Sequence, residues 1–492
     1  MNDLASPHIH GSNPARRPGV AFWIAVTVGA SGIGWLIWHS LADVHHAPHR
    51  SEPPPWWPIG VLPFVVILSA IAFLPLIPAT RHWWESNLHR FYVALGCAAA
   101  TVAFALFSLG WHEVITLLEH AVVSEYLPFI VLLFSLYVVS GGIRLSGDLP
   151  ARPWVNTTFL AAGGVLASII GTTGASMLLI RPLLETNAER RHKVHTVVFF
   201  IFLVSNIGGT LLPIGDPPLF LGYLKGVEFF WTLNLAGPWF LTVLLLLVGY
   251  FLLDRWLHAR EDVAGLQRDA LQHRPLRLEG AVNLVWIGGI VLAVAGLVPG
   301  RQLPVVEWTV FPFLRELVML AIVGLSLWTT PRQVRLDNRF NYAAILEVAA
   351  LFIGIFIAMQ IPVMVLQVEG PRFGLSEPWQ FFWLTGALSS FLDNAPTYVV
   401  FFETANAMPQ PPGSDVVALT GGRFIREDLL AGISLGAVFM GAMTYIGNGP
   451  NFMVKSIAEQ SGVRMPSFFG YMAYSGVILL PTFVLVTLVF LR

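Results

Sequence analysis

LLPIGDPPLFLGYL (residues 211–224) places Gly215, Asp216, Pro217 and Pro218 in the middle of an apolar stretch. Proline lacks a backbone N–H and blocks the preceding helical turn, while glycine tolerates an open backbone. The stretch therefore reads as two half-helices separated by a break. MTYIGNGPNFMVKS (443–456) carries the same design, with Gly447, Asn448, Gly449 and Pro450 at its centre. Freed carbonyls at such a break can coordinate a hard cation. The N-terminus of the following half-helix favours an anion. Both kinds of ion remain open at this point.

The composition around these breaks is that of a membrane protein. Of 492 residues, 55% are hydrophobic and 12% are charged, about half the charge of a soluble domain. Seventeen Trp and 35 Phe suit bilayer interfaces. The single cysteine, Cys97, excludes a disulfide within the chain and a cysteine metal cluster. A formal net charge of −1 gives no basis for nucleic acid as a partner. The polar N-terminal tail reads as cytoplasmic, without a signal peptide. Its histidines (His8, His10, His45, His46 and His49) lack a carboxylate–histidine spacing and read as a solvated loop. No nucleophile–base arrangement, phosphate-binding loop or HExxH is present, so the chain is not expected to be an enzyme and needs no cofactor.

Eleven apolar segments are long enough to cross a bilayer: near 18–39, 59–78, 91–110, 126–143, 194–221, 237–253, 281–299, 312–329, 343–366, 429–455 and 468–490. Two more, 156–185 and 377–406, are too long for one span and are interrupted by GTTGAS (171–176) and LDNAPT (392–397). They read as re-entrant hairpins, with irregular backbone surrounded by protein or water. With the N-terminus inside, most of the 28 basic residues fall on the cytoplasmic side, placing the C-terminus outside. In that topology Lys225 is an outer loop residue. The organisation is then a tail with an extra first helix (1–58), a first repeat (59–253), a cytoplasmic linker (254–280) and a second repeat (281–492).

Three markers recur in order in the two repeats. Glu125 and Glu347 each lead an apolar span, the hairpin tips follow, and the breaks come last. The first span of each pair runs opposite to the second. Paired, interrupted segments in inverted halves point to a transporter with its binding site near the midplane. Asp216 and Asp393 are the two acids expected to lie deepest. Such acids must be paired, protonated or ion-bound, and could exchange a proton for Na⁺. Capping is the alternative, with Asp393 on the half-helix that follows it and Asp216 bracing its break. Thr172, Thr173 and Ser176 supply hydroxyls at the first tip. Asn394 and Thr397 do so at the second, and Asn206, Asn448 and Asn451 lie near the breaks. Ion binding and helix–helix hydrogen bonding both suit these residues. Glu125 and Glu347 read as structural helix-start acids. Arg181 reads as an anion partner or a snorkelling side chain, and Glu403 shares that ambiguity.

SNIGGTLLPIGDPPLFLGYL (205–224) resembles a segment of the ion transporter superfamily. SSFLDNAPTYVV (389–400) and YIGNGPNFMVKSIAEQSG (445–462) are similar to its second hairpin and second break. The form is that of the branch holding ArsB arsenite permeases, NhaD sodium/proton antiporters and the melanosomal P protein. The resemblance covers roughly 59–490. It implies an all-α inner-membrane protein of eleven helices and two re-entrant hairpins. It also implies a homodimer in which one domain moves as an elevator. Carried over by position, Thr172, Thr173, Asn206, Asp216, Asp393, Asn394, Asn448 and Asn451 line the transport site. The leading expectation is a sodium/proton antiporter in which Asp216 and Asp393 alternate between H⁺ and Na⁺. The first tip departs from the antiporter pattern by lacking an acid, and Leu219 replaces an Asn. A Na⁺- or H⁺-coupled citrate or dicarboxylate symporter is the alternative.

Overall fold

The computed structural model describes residues 31–39, 53–54, 56–262, 274–302 and 308–492. Residues 31–39 form a helix in a unit of their own, and only that part of the first expected span is described. The N-terminal histidines lie outside the described residues. The second unit, 46–492, holds everything below.

Its helices are α1 (Trp57–Phe73), α2 (Pro78–Trp84), α3 (Asn87–Ser108), α4 (Trp111–Leu118) and α5 (Leu127–Ser140). A π-helical segment, Glu119–Tyr126, joins α4 to α5 in one run of 30 residues. The span expected from 126 thus begins upstream at Trp111, and Glu125 lies inside a helix rather than at its start. Among the described residues, five helical runs are long and apolar enough to cross a membrane: Asn87–Ser108, Trp111–Ser140, Pro153–Ile170, Trp231–His258 and Phe468–Phe490. Two bent pairs raise the number to seven, one bent by 103° within 57–84 and one by 43° within 343–373. The chain is a mostly helical, multi-pass membrane protein. Several of the expected spans fall short as single helices because they are broken part-way.

α6 (Pro153–Ile170) and α7 (Thr172–Thr186) form the first hairpin. Gly171 alone turns the chain, at φ 80° and ψ 150°, a conformation a side chain would strain. α8 (Val194–Leu203) then stops, a 3₁₀ turn covers Ile207–Thr210, and α9 (Pro217–Leu224) starts after the Gly-Asp-Pro-Pro break. α10 (Ala236–His258) follows. Ser168 satisfies the broken backbone, donating to the Gly208 carbonyl at 2.5 Å and accepting from the Leu211 N–H at 3.0 Å.

The second half repeats the order. α11 (Val282–Gly296), α12 (Leu314–Thr329), α13 (Arg332–Asp337), α14 (Ala343–Ala358) and α15 (Gln360–Glu369) precede the second hairpin, α16 (Pro378–Ser389) and α17 (Asn394–Asn406). α18 (Glu427–Met440) ends in a 3₁₀ turn, α19 (Gly449–Gln460) follows the break, and α20 (Phe468–Phe490) closes the chain. Ser389 donates to Ala437 O at 2.7 Å and Ser390 to Met440 O at 3.1 Å. These bonds do at the second break what Ser168 does at the first. Small residues bring the helices close: Gly354 of α14 abuts the backbone of Ala94 on α3, and Gly436 of α18 abuts Phe382 of α16.

Among the described residues, two small sheets supplement the helices. β1 (Arg144–Asp148) pairs antiparallel with β2 (Arg274–Glu279), so part of the expected linker is a strand; β3 (Val416–Ala418) pairs with β4 (Phe424–Arg426). The second hairpin begins with a reciprocal cap. Glu377 accepts from the Gln380 backbone, and the Gln380 side chain accepts from Glu377 N at 3.0 Å. Glu377→Ala is expected to cost about 1 kcal/mol. A small fall in melting temperature would check it.

Candidate functional site

The breaks and tips meet at Asp216. Its carboxylate is buried, at 1% exposure. Oδ1 accepts from Thr172 Oγ1 at 2.9 Å and from Asn448 Nδ2 at 3.3 Å, while Oδ2 accepts from Asn394 Nδ2 at 2.6 Å. Thr172 and Asn394 are the first residues of α7 and α17, so one acid ties both hairpin tips. The Thr172 N–H also donates to the Gly215 carbonyl at 2.9 Å. Asp216 and Asn448 are 232 residues apart in sequence and occupy matching N-cap positions, with φ/ψ of −142°/141° and −153°/141°.

A second layer supports this hub. Asn448 Nδ2 lies 3.2 Å from Asn206 Oδ1, and Asn206 donates to Asn451 Oδ1 at 2.7 Å. Asn451 donates to the carbonyls of Gly441 and Thr444 at 2.8 and 2.9 Å. Ser176 pairs with Ser205 at 2.8 Å. Sequence gave no flag to Ser205, Ser168, Ser389 or Ser390, because a serine in an apolar arm carries no periodic or spacing signal.

Asp393 caps α17, accepting from the Ala395 N–H at 3.2 Å. Thr397 donates to the Asp393 carbonyl at 3.0 Å and so serves its own helix. A cavity of about 100 Å³ has Gly171, Thr172, Thr173, Gly174, Asp393 and Asn448 on one side. That volume holds several water molecules. The facing wall is apolar and comes from α5 and α14, with Leu133, Leu136, Tyr137, Ile345, Val348 and Phe352. None of these was a candidate from sequence. Thr173, whose hydroxyl has no role in the hub, reaches the cavity.

The tip of α7 has no side-chain cap. The amides of Thr173 and Gly174 lie in its first turn, beyond the reach of any intrahelical carbonyl. Such a terminus favours an anion. The oxygen of Asn394 is buried and accepts no hydrogen bond in the structure. Among the described residues, no three His, Cys, Asp or Glu side chains gather as a metal cluster. A cation here would rely on Asp216 or Asp393 with amide, hydroxyl and carbonyl oxygens, a set suited to hard ions.

Residues 53–491 match the family model described as "Putative citrate transport". The chain belongs to that family. Membership makes it a membrane transporter related to the ion transporter superfamily, and not an enzyme. A comparison with curated proteins finds no match. The family favours the citrate alternative over the antiporter expectation.

Lys225, counted among the outer-side residues from sequence, is a buried side chain in the turn after α9, 2.8 Å from Glu125 and 2.9 Å from Glu403. Glu125, Glu403 and Lys225 form one ionic cluster away from the cavity. Glu347 instead pairs with Arg90 of α3 at 2.5 Å. Arg181 is half-buried on α7 and within electrostatic range of Tyr137 and Arg339.

Proposed function

We propose that the protein is a secondary active transporter of citrate or a closely related carboxylate, driven by Na⁺ or H⁺. The observation that carries this reading is the acid-free tip of α7. Thr173 and the uncapped first turn of that helix face the cavity, where an antiporter-type site would present a second carboxylate. Asp393 on the cavity wall and Asp216 behind it are the groups to hold the coupling ion. In this reading the two halves are inverted repeats. The hairpins, broken helices and α10, α18 and α20 move as one body. α3, α5, α11, α12 and α14 form the fixed frame of a homodimer in the inner membrane, with the N-terminus cytoplasmic. The cavity then faces the cytoplasm, because it lies by the end of α5 and the start of α14.

Uptake of labelled citrate into proteoliposomes tests the proposal. Citrate accumulation under an imposed Na⁺ or H⁺ gradient is the expected result. No citrate uptake, together with Na⁺-driven proton release, would return the antiporter reading. Thr173→Val is expected to raise the citrate KM roughly fivefold, the worth of one hydroxyl contact of about 1 kcal/mol. A normal citrate KM with a raised Na⁺ requirement would place the cation at that tip instead.

A further inference from the structure

The Lys225 cluster is built from both groups of helices. Lys225 follows α9, the half-helix that starts at Asp216, and Glu403 lies on α17, which starts at Asn394. α9 and α17 are therefore tied at the site by the Asp216–Asn394 bond and at their far ends by the Lys225–Glu403 pair at 2.9 Å. Arg423 completes Glu403 at 3.4 Å, and Gln367 of α15 reaches it across the junction at 3.1 Å.

Glu125 belongs to the other group. It sits in the π-helical segment that runs into α5, whose Leu133, Leu136 and Tyr137 wall the cavity. Leu136 lies roughly 16 Å further along the same run at 1.5 Å per residue. π-helical segments recur at functional positions in helices. Glu125 binds Lys225 at 2.8 Å and accepts from Gln360 at the start of α15 at 3.0 Å. His120, half-exposed, lies 3.6 Å away. The cluster thus closes one end of the junction between the two helix groups, and the cavity lies toward the other end.

We infer that the Glu125–Lys225 ion pair is a latch that holds this side of the transporter shut while the cavity is open on the other. The argument rests on the transport reading above. Its physical basis is how charge divides when the pair separates. Lys225 keeps Glu403, so the moving body carries no bare buried cation. Glu125 keeps Gln360 and His120, the latter in contact with solvent. A permanent staple needs no such provision, because stranding one buried charge is what makes a buried pair hard to break. Here each side retains a partner.

The test needs no substrate, so it reads the latch whether or not citrate is carried. Cys97 is replaced by Ala and Thr173 by Cys, placing the only thiol on the cavity wall. A membrane-impermeant maleimide is then applied to right-side-out and everted vesicles. The parent is expected to label from the cavity side. Glu125→Gln keeps the Lys225–Glu403 pair and is expected to raise labelling from the latch side at least about fivefold, the effect of roughly 1 kcal/mol on a two-state ratio. Glu125→Asp, with its shorter reach, is expected to shift it in the same direction. Glu403→Gln leaves the latch in place and is expected to keep the parental pattern. An unchanged pattern in both Glu125 variants overturns the inference, as does an equal shift in Glu403→Gln. Failure of the Glu125 and Glu403 variants alike to give monodisperse protein overturns it too, since that is the behaviour of a staple. A parent that labels from neither side removes the open cavity on which the latch depends.

Discussion

Asp216→Asn is expected to lower citrate uptake at least about a hundredfold while leaving the protein folded, the loss corresponding to roughly 2.8 kcal/mol. The carboxylate accepts from Thr172, Asn448 and Asn394, all three as donors. An asparagine has one acceptor oxygen and one NH₂ group. Oriented toward Asn394, its NH₂ faces a donor and the 2.6 Å bond is lost; oriented the other way, the Asn448 bond is lost and the Thr172 hydroxyl must turn from donor to acceptor. Hydrogen bonds to a charged acceptor are worth about 1.5–3 kcal/mol each, so one or two of them account for the expected loss. Those bonds hold the first residues of α7 and α17, and a released tip no longer fixes the cavity wall. Stability should suffer less, because the substitution also removes the cost of burying a charge. Uptake by the variant within about fivefold of the parent, a difference of only 1 kcal/mol, would make the carboxylate a dispensable brace. Melting temperature and gel-filtration profile measured beside uptake separate loss of function from loss of fold.

The breaks and tips were legible because glycine, proline and a polar residue inside an apolar run form a signal along the chain itself. Asp216 and Asn448 could therefore be placed at the breaks, and Thr172 and Asn394 at the tips, from sequence. Their pairing was not legible. Asn394 Nδ2 and Asp216 Oδ2 come from positions 178 apart, and no local pattern states that two tips converge on one acid. The helix lengths misled for a related reason. α8 ends at Leu203 and α9 spans only eight residues, so a hydropathy window that reads 194–221 as one span averages over the break. Lys225 looked like a loop charge because it follows an apolar run by one position. The half-helix ends early, among other helices, and the residue just after it is buried there. Glu125 was invisible as a partner for the opposite reason, since nothing in sequence marks the π-helical continuity from Trp111 to Ser140. Thr397 was legible only as a polar residue near a tip, and its hydroxyl turned out to serve its own helix.

Gly215→Ala is expected to remove both stability and uptake. A methyl group there would press on the Gly209 carbonyl and lie 3.0 Å from the Ser168 Cα. Both are backbone atoms, so no side-chain rotation relieves the contact. Gly209 lies within the 3₁₀ segment after α8, and Ser168 is the residue that satisfies the freed groups of that segment. The Gly215 carbonyl also accepts the Thr172 N–H at 2.9 Å, so displacing it carries the first tip away from Asp216. Overpacking of this kind costs about 1–3 kcal/mol or more, and a fall of roughly 5 °C in melting temperature is expected. Gly447→Ala should behave alike, its added carbon lying 2.6 Å from Gly441 O and 2.8 Å from Ser389 O. Gly449→Ala is the contrast, because a methyl group there meets nothing within 4 Å. It should leave melting temperature and uptake near the parental values. Equal effects at 215 and 449 would mean that the breaks are not close-packed and that glycine there serves only flexibility. Together with Asp216→Asn the series splits two roles within adjacent residues. Gly215 controls whether the break can form at all, whereas Asp216 controls what the formed break holds in place.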